Sequence, residues 1–214
     1  MVALFDLDGT ITRYDTLPAY LAGFLRRHPA RLLCLPGVLG AVGRFAHGRA
    51  DRGELKSSAI RAVLGGRTRA EVAAWTARFV PPLIERGLSG DALAAIARHR
   101  DAGDHLVMLS ASPDLYVPDV ARALGFAEAW STGLEWNGGQ LSGRLTTANR
   151  RGAEKARCLL RLRAQHPGLP VVAYGNAASD LAHLALADRG VLVNGSPLAR
   201  RRAARLRIER ATWR

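Results

Sequence analysis

The sequence predicts an α/β fold, a parallel sheet carrying helices plus a helical insertion, on three observations. Short apolar runs at Val2–Phe5, Leu106–Leu109 and Val171–Tyr174 each end in residues able to do chemistry. Runs of that length and texture suit strands covered on both faces, as parallel strands are. About a hundred residues separate the first run from the second, far more than one crossover helix needs, so the excess forms an element of its own. Finally, 214 residues at 48% hydrophobic content suit one core domain with a modest insertion and exclude a disordered chain.

The first run leads into Asp6-Leu7-Asp8-Gly9-Thr10, two carboxylates two residues apart where a buried strand emerges. Neither charge is buried cheaply without a cation or hydrogen-bond donors. Gly9 and Thr10 let the backbone turn and offer donors to an anion. A calcium loop would need further oxygen ligands and a closing Glu, whereas Ile11-Thr12-Arg13 follows. The pattern therefore points to phosphate handling.

The second run ends in Ser110-Ala111-Ser112-Pro113, where the Ser110 hydroxyl and the next backbone N–H groups are placed to hold phosphate oxygens. Gly152-Ala153-Glu154-Lys155 then sets an ammonium at the start of a predicted helix. Of 31 Lys and Arg side chains only Lys56 and Lys155 are lysine, which makes Lys155 more telling than any single arginine. A compact point charge can neutralise a phosphate and a nucleophilic carboxylate together. The third run passes into Gly175-Asn176-Ala177-Ala178-Ser179-Asp180, oxygen ligands at a third strand end and a wall for a magnesium site.

These four segments resemble the motifs of the haloacid dehalogenase superfamily, in its phosphoserine-phosphatase-like branch (subfamily IB). The resemblance spans nearly the whole chain. It implies a Rossmann-like three-layer α/β/α core with a parallel sheet, residues 1–14 and 86–214, and an inserted helical cap of C1 type over residues 15–85. It also implies Mg²⁺ held by Asp6, Asp8, Asn176 and Asp180, and hydrolysis of a phosphate monoester through an aspartyl-phosphate. Asp6 is then the nucleophile, Asp8 the general acid and base, and Ser110 and Lys155 the remaining catalytic residues. Gly9, Thr10, Ala111 and Asp15 complete the substrate-binding set. Asn176 departs from the pattern, since the resembling motif has a carboxylate there. An amide oxygen still ligates Mg²⁺, so weaker metal affinity is expected, the alternative being a phosphate or lipid binder with little turnover.

Within the insertion, apolar residues recur at helical spacing over Tyr20–Arg27 and Glu71–Phe79, with Gly65-Gly66 and Pro81-Pro82 as punctuation. Leu88–His99, with Ser89 as N-cap, is the predicted return helix. Ala129–Trp136 and Gln140–Leu145 flank Asn137-Gly138-Gly139, a hairpin signature. Asp15 has two readings, an N-cap ahead of the insertion's first helix or an acidic residue meeting a substrate ammonium.

Substrate choice rests on the stretch from Leu32 to Gly43, which has no charged residue and is bounded by Arg26, Arg27, Arg31 and Arg44. It is too short and too broken by Pro36, Gly37, Gly40 and Gly43 to span a bilayer, which takes about 20 apolar residues. Two readings stand: a cap helix packed on the core, or a segment lying in an anionic membrane interface. Its texture is similar to the cap of the phosphatidylglycerophosphatase C group, which implies a phospholipid phosphate substrate; the alternative is a small metabolite such as phosphoserine.

The formal charge of +13 suits anionic partners, although the excess of Arg with abundant Ala and Gly is a compositional habit rather than a patch. Ser196-Pro197 opens a predicted terminal helix bearing Arg200, Arg201, Arg202 and Arg205, with Arg207, Arg210 and Arg214 beyond. No aromatic stacking pattern accompanies these charges, which disfavours nucleic acid. Cys34 and Cys158, far apart and without metal spacing, are expected as reduced and mostly buried thiols. With no secretory signal in view, a cytoplasmic protein is expected, associated at most with the inner membrane face.

Overall fold

The computed structural model describes residues 1–214. Its strands are β1 (Val2–Phe5), β2 (His105–Pro113), β3 (Glu128–Thr132), β4 (Leu134–Asn137), β5 (Gln140–Leu145), β6 (Val171–Gly175), β7 (Arg189–Val193) and β8 (Glu209–Ala211). Six of them form one parallel sheet in the order β3-β2-β1-β6-β7-β8, and β4 pairs with β5 as a separate hairpin. The α/β architecture expected from the apolar runs is the one found. Period-two alternation sorts each strand between two cores. Ala3, Phe5, Leu106 and Met108 join the core on one face, and Val2, Leu4, Val107 and Leu109 join that on the other.

The helices are α1 (Thr16–Arg27), α2 (Pro36–Ala46), α3 (Arg52–Leu64), α4 (Arg69–Arg86), α5 (Gly90–Asp101), α6 (Val117–Ala123), α7 (Ala153–Gln165), α8 (Leu181–Leu184) and α9 (Pro197–Arg205). Side-chain caps fix several starts: Asp15 accepts from the Leu17 N–H, Asp51 from Glu54, and Thr68 forms a reciprocal capping box with Glu71. Ser89 caps α5 as predicted, accepting from Ala92. Helices α1 to α5 fill the long interval between β1 and β2.

Local signals mislead in a few places. Pro81-Pro82 lies inside α4 rather than ending a helix. An interior proline costs about 3 kcal/mol, but Val80 and Leu83 are buried beside the pair and tertiary packing carries the helix through. The stretch before the hairpin is not one strand: β3 belongs to the main sheet, and the chain breaks at Gly133 before β4. The terminal arginines span α9 and the edge strand β8, because α9 ends at Arg205. Cys34 is exposed and only Cys158 is buried.

Topology places the site. From β1 the sheet grows in both directions, to β2 and β3 on one side and β6 to β8 on the other. The crevice outside the carboxyl end of such a strand is where open α/β sheets bind ligands, and Asp6 follows Phe5 at that end.

Candidate active site

After β1 the chain makes a wide turn over Leu7–Ile11, with Asp8 extended (φ −76°, ψ 114°) and Gly9 at φ +77°. Gly9 is required twice: by its left-handed backbone, and because a Cβ there would lie 2.0 Å from the Asn176 amide nitrogen. The loops after β1 and β6 are thus in direct contact, with Asn176 laid across Gly9.

Asp6 is buried, and each oxygen meets a donor: Lys155 Nζ at 2.6 Å from Oδ1 and the Thr10 hydroxyl at 3.0 Å from Oδ2. Lys155, in the first turn of α7, also reaches Asp180 Oδ1 at 2.9 Å. Asp180 Oδ2 accepts from the backbone N–H groups of Asn176 (3.2 Å) and Ala177 (2.9 Å), so Asp180 fixes both the lysine and the loop after β6. Burial pushes the Asp6 carboxyl up to about 7 against the pull of Lys155, and the charges of Asp180 and Asp8 raise it further. Burial opposes the Asp180 charge too, yet Lys155 holds it below the ordinary carboxylate range. Lys155 itself, although buried, is kept charged by Asp6 and Asp180.

Asp8 is the better satisfied carboxylate. Thr16 donates twice to Oδ1, from its N–H at 2.7 Å and its hydroxyl at 2.6 Å. Ser112 donates to Oδ2 at 2.6 Å, with Ser110 at 3.4 Å. The buried Tyr116 hydroxyl continues the chain, 2.9 Å from Thr16 Oγ1. Apart from the Thr16 N–H, these donors are hydroxyls that can rotate to accept instead. Asp8 can therefore gain or lose a proton without leaving an orphaned group.

Around these residues lies a cavity of about 400 Å³ walled by Asp6, Asp8, Asp15, Ala111, Ser112, Lys155, Asn176 and Asp180. Of the site residues expected from sequence, Gly9, Thr10 and Ser110 stand behind this wall: Thr10 holds Asp6, and Ser110 is fully buried and accepts from the Ser112 N–H at 3.0 Å. Asp15 caps α1, the first of the two readings offered for it, and also lines the cavity.

Sequence reasoning missed the remaining polar wall. Arg52 and Lys56 come from α3, Asn149 and Arg151 from the loop before α7. Lys56 Nζ donates to the Ala111 carbonyl and, at 2.6 Å, to Asn149 Oδ1. Burial brings Lys56 down to about 8, opposed by Asp8 and Asp15. One signal was available: both lysines of this arginine-rich chain line the same cavity. A larger groove of about 720 Å³, between His99, Tyr174 and Trp213, contains none of the carboxylate set.

The donors suit a hard divalent cation. Asp6 keeps a second lone pair on each oxygen, Asp180 Oδ1 keeps one, and the Asn176 amide stands beside them, an all-oxygen set with surplus negative charge. Asp8, placed in the metal set from sequence, has four donors on its two oxygens, three of them hydroxyls that would have to turn away before its side chain met a metal.

A family model described as haloacid dehalogenase-like hydrolase matches residues 3–185. The chain belongs to this family. It is a hydrolase. Protein CicA of Caulobacter vibrioides is 33% identical over 195 residues, covering 88% of this chain and 83% of that protein. The phosphoserine phosphatase SerB1 of Mycobacterium tuberculosis is 26% identical over 198 residues, covering 90% of this chain and 64% of that one. Among solved structures, a Bordetella pertussis protein of unknown function superposes with a TM-score of 0.79 at 23% identity, covering 98% and 97% of the two chains. A phospho-aspartyl intermediate analogue of phosphoserine phosphatase superposes with a TM-score of 0.68 at 16% identity, over 99% and 92%. The haloacid dehalogenase-like fold thus holds for the whole chain, insertion included.

Proposed function

We propose that this hydrolase is a phosphomonoesterase for a small metabolite that carries further charge beside its phosphate. The carrying observation is the pair Asp6 and Asp8 at the carboxyl end of β1, with Lys155 joining Asp6 to Asp180 at one wall of a charge-lined cavity. Asp6 attacks phosphorus while the ester P–O bond breaks, and Asp8 delivers its proton to the leaving oxygen. Water then attacks the aspartyl-phosphate, Asp8 takes the water's proton, and the acyl-phosphate P–O bond breaks to free phosphate. Ala111 and Ser112, which line the cavity, and the backbone after Asp6 are offered to the equatorial oxygens, where charge spreads in the transition state, with Ser110 behind them accepting from the Ser112 N–H. Lys155 favours the ionised form of Asp6 and meets the phosphate. Asp6, Asn176 and Asp180 would hold Mg²⁺, which supplies charge neutralisation for phosphate and nucleophile.

Cations from two elements bear on substrate choice. Arg52 and Lys56 descend from the insertion, and Arg151 faces them from the core. With Asp15 in the same lining, the cavity suits a substrate bearing a second anionic group and an ammonium. The name of the Mycobacterium tuberculosis relative agrees with such chemistry, so the small-metabolite alternative displaces a phospholipid phosphate as the main reading. Residues 15–85 are taken as the cap and residues 1–14 and 86–214 as the core.

A peripheral membrane contact is the second reading, favoured by one observation. Residues 29–46 do not pack on the core as a buried helix would: only Ala41 is buried in α2, while Leu33 is 84% and Leu39 69% exposed. No acidic side chain occurs from Thr16 to Ala50. No helix is long and apolar enough to cross a membrane. Flotation with anionic vesicles tests this face.

The main reading is tested by magnesium-dependent hydrolysis of p-nitrophenyl phosphate, followed by a monoester screen that includes phosphoserine, sugar phosphates and phosphatidylglycerophosphate in micelles. Activity that survives Asp6→Asn would overturn the mechanism. Preference for the micellar substrate would restore the lipid reading.

A further inference from the structure

At the end of the sheet away from the carboxylates, three side chains from three elements converge. Glu128 opens β3 and pairs with Val107 of β2, and His105, two residues before Val107, shares its face. That face is covered by α7, whose Leu159 and Leu162 share a core with Val107 and Leu109. Because α7 ends at Gln165, the next residue, His166, hangs over the starts of β2 and β3.

His105 Nε2 lies 2.7 Å and His166 Nε2 3.5 Å from Glu128 Oε1, and all three atoms fall within 4.8 Å of one another. The two imidazole rings are 4.5 Å apart. Trp130 Nε1 donates to Glu128 Oε2 at 2.8 Å, which turns Oε1 toward the imidazoles.

We propose that His105, Glu128 and His166 form a binding site for a borderline divalent transition ion, with zinc as the representative. Two imidazoles and one carboxylate suit zinc, nickel or copper and not the harder magnesium or calcium. Ligand atoms about 2.1 Å from a tetrahedral ion stand about 3.4 Å apart, so only small side-chain rotations close the triangle. Side-chain exposures of 22% to 31% give the ion access and leave a fourth position for water. The Trp130 bond is the outer-shell support that such carboxylates need. The proton shared by His105 and Glu128 moves to Nδ1 or is released when the ion binds.

The ion would tie the end of α7, which carries Lys155 in its first turn, to the starts of β2 and β3. Ser110 lies five residues along β2 from His105, about 16 Å at the usual strand rise. The site therefore braces the catalytic scaffold without entering the reaction.

The test is zinc titration of the untagged full chain by calorimetry, with excess magnesium and with Cys34→Ser to remove the exposed thiol. One zinc equivalent should be bound, with a change in tryptophan fluorescence and a rise in the thermal midpoint. That equivalent should weaken at least tenfold in His166→Ala and in Glu128→Gln, while p-nitrophenyl phosphate hydrolysis stays at the parent rate. Midpoints in EDTA show whether each variant folds; if His166→Ala does not, the isosteric Glu128→Gln carries the test. No zinc uptake, or an equivalent undiminished in the folded variants, overturns the proposal.

Discussion

The Lys155 ammonium sits 2.6 Å from Asp6 Oδ1, deep enough that neither partner has water to replace the other. Removing one member of a buried pair strands the other's charge, at a cost of about 3 kcal/mol or more. Lys155→Met should therefore lower stability by about that amount in urea unfolding. It should also cut kcat by about 10² or more, the scale for losing one donor to the reacting group. A variant that unfolds at the parent urea concentration would mean that Lys155 is not the countercharge of Asp6.

Asp6 gives a pH signature. Its folded value of about 7 lies above the ordinary 3.8, so between these limits the folded chain holds a proton that the unfolded chain has lost. Its contribution to stability thus falls as pH rises from about 4 to about 7. His183, its charge disfavoured by burial and then by Lys155 and brought down to about 3, contributes the opposite slope in an overlapping range. The diagnostic is the difference between Asp6→Asn and the parent in metal-free unfolding. The variant should gain on the parent by at most about 1.4 kcal/mol per pH unit through this window. A constant difference from pH 4.5 to 7.5 would place Asp6 at its ordinary value.

Asn176→Asp adds a carboxylate beside Asp6 and Asp180. Metal-free, that extra charge should lower the thermal midpoint; with magnesium the loss should be recovered, and the magnesium concentration for half-maximal rate should drop about tenfold, the scale of one hydrogen-bonded or ligating charge. If that concentration is unmoved, Asn176 is not a ligand.

Ser112 and Thr16 hold Asp8 at 2.6 Å each, and both hydroxyls can reverse direction as Asp8 changes protonation. Ser112→Ala should reduce kcat by about tenfold with little change in KM, because it frees Asp8 to rotate while removing a single hydroxyl from the cavity wall; about 1.4 kcal/mol of positioning corresponds to that factor. A change confined to KM would assign Ser112 to ground-state binding.

Lys56 titrates at about 8 because burial disfavours its charge more than Asp8 and Asp15 favour it. Above that pH it loses the charge, so KM for a substrate with a second anionic group should climb through pH 8 to 9, whereas KM for p-nitrophenyl phosphate should not. Lys56→Met should show the raised KM at every pH. Parallel profiles for both substrates would remove Lys56 from specificity.

Sequence alone determined the parts that depend on local chemistry. Apolar runs ending in polar residues marked β1, β2 and β6, because a strand buried on both faces has no polar position until it emerges. The same logic located Asp6, Asp8, Lys155, Asn176 and Asp180, each within a few residues of a strand end or helix start. What the tertiary structure decided are distances between segments far apart in the chain. Lys155 meets Asp6 across 149 positions, and Lys56 meets Asn149 across 93. Nothing in the neighbourhood of Lys56 announces that α3 turns it into the cavity, nor that Ser112 rather than Ser110 faces it. Pro81-Pro82, read as punctuation, and the stretch across Gly133, read as one strand, mislead for the same reason: packing on both sides of α4 and the pairing of β3 with β2 outweigh local propensity. Propensity is worth about 1 kcal/mol per residue, whereas burial of one large apolar side chain is worth about 2. The sequence therefore names the candidate groups, and only the folded chain sets what surrounds them.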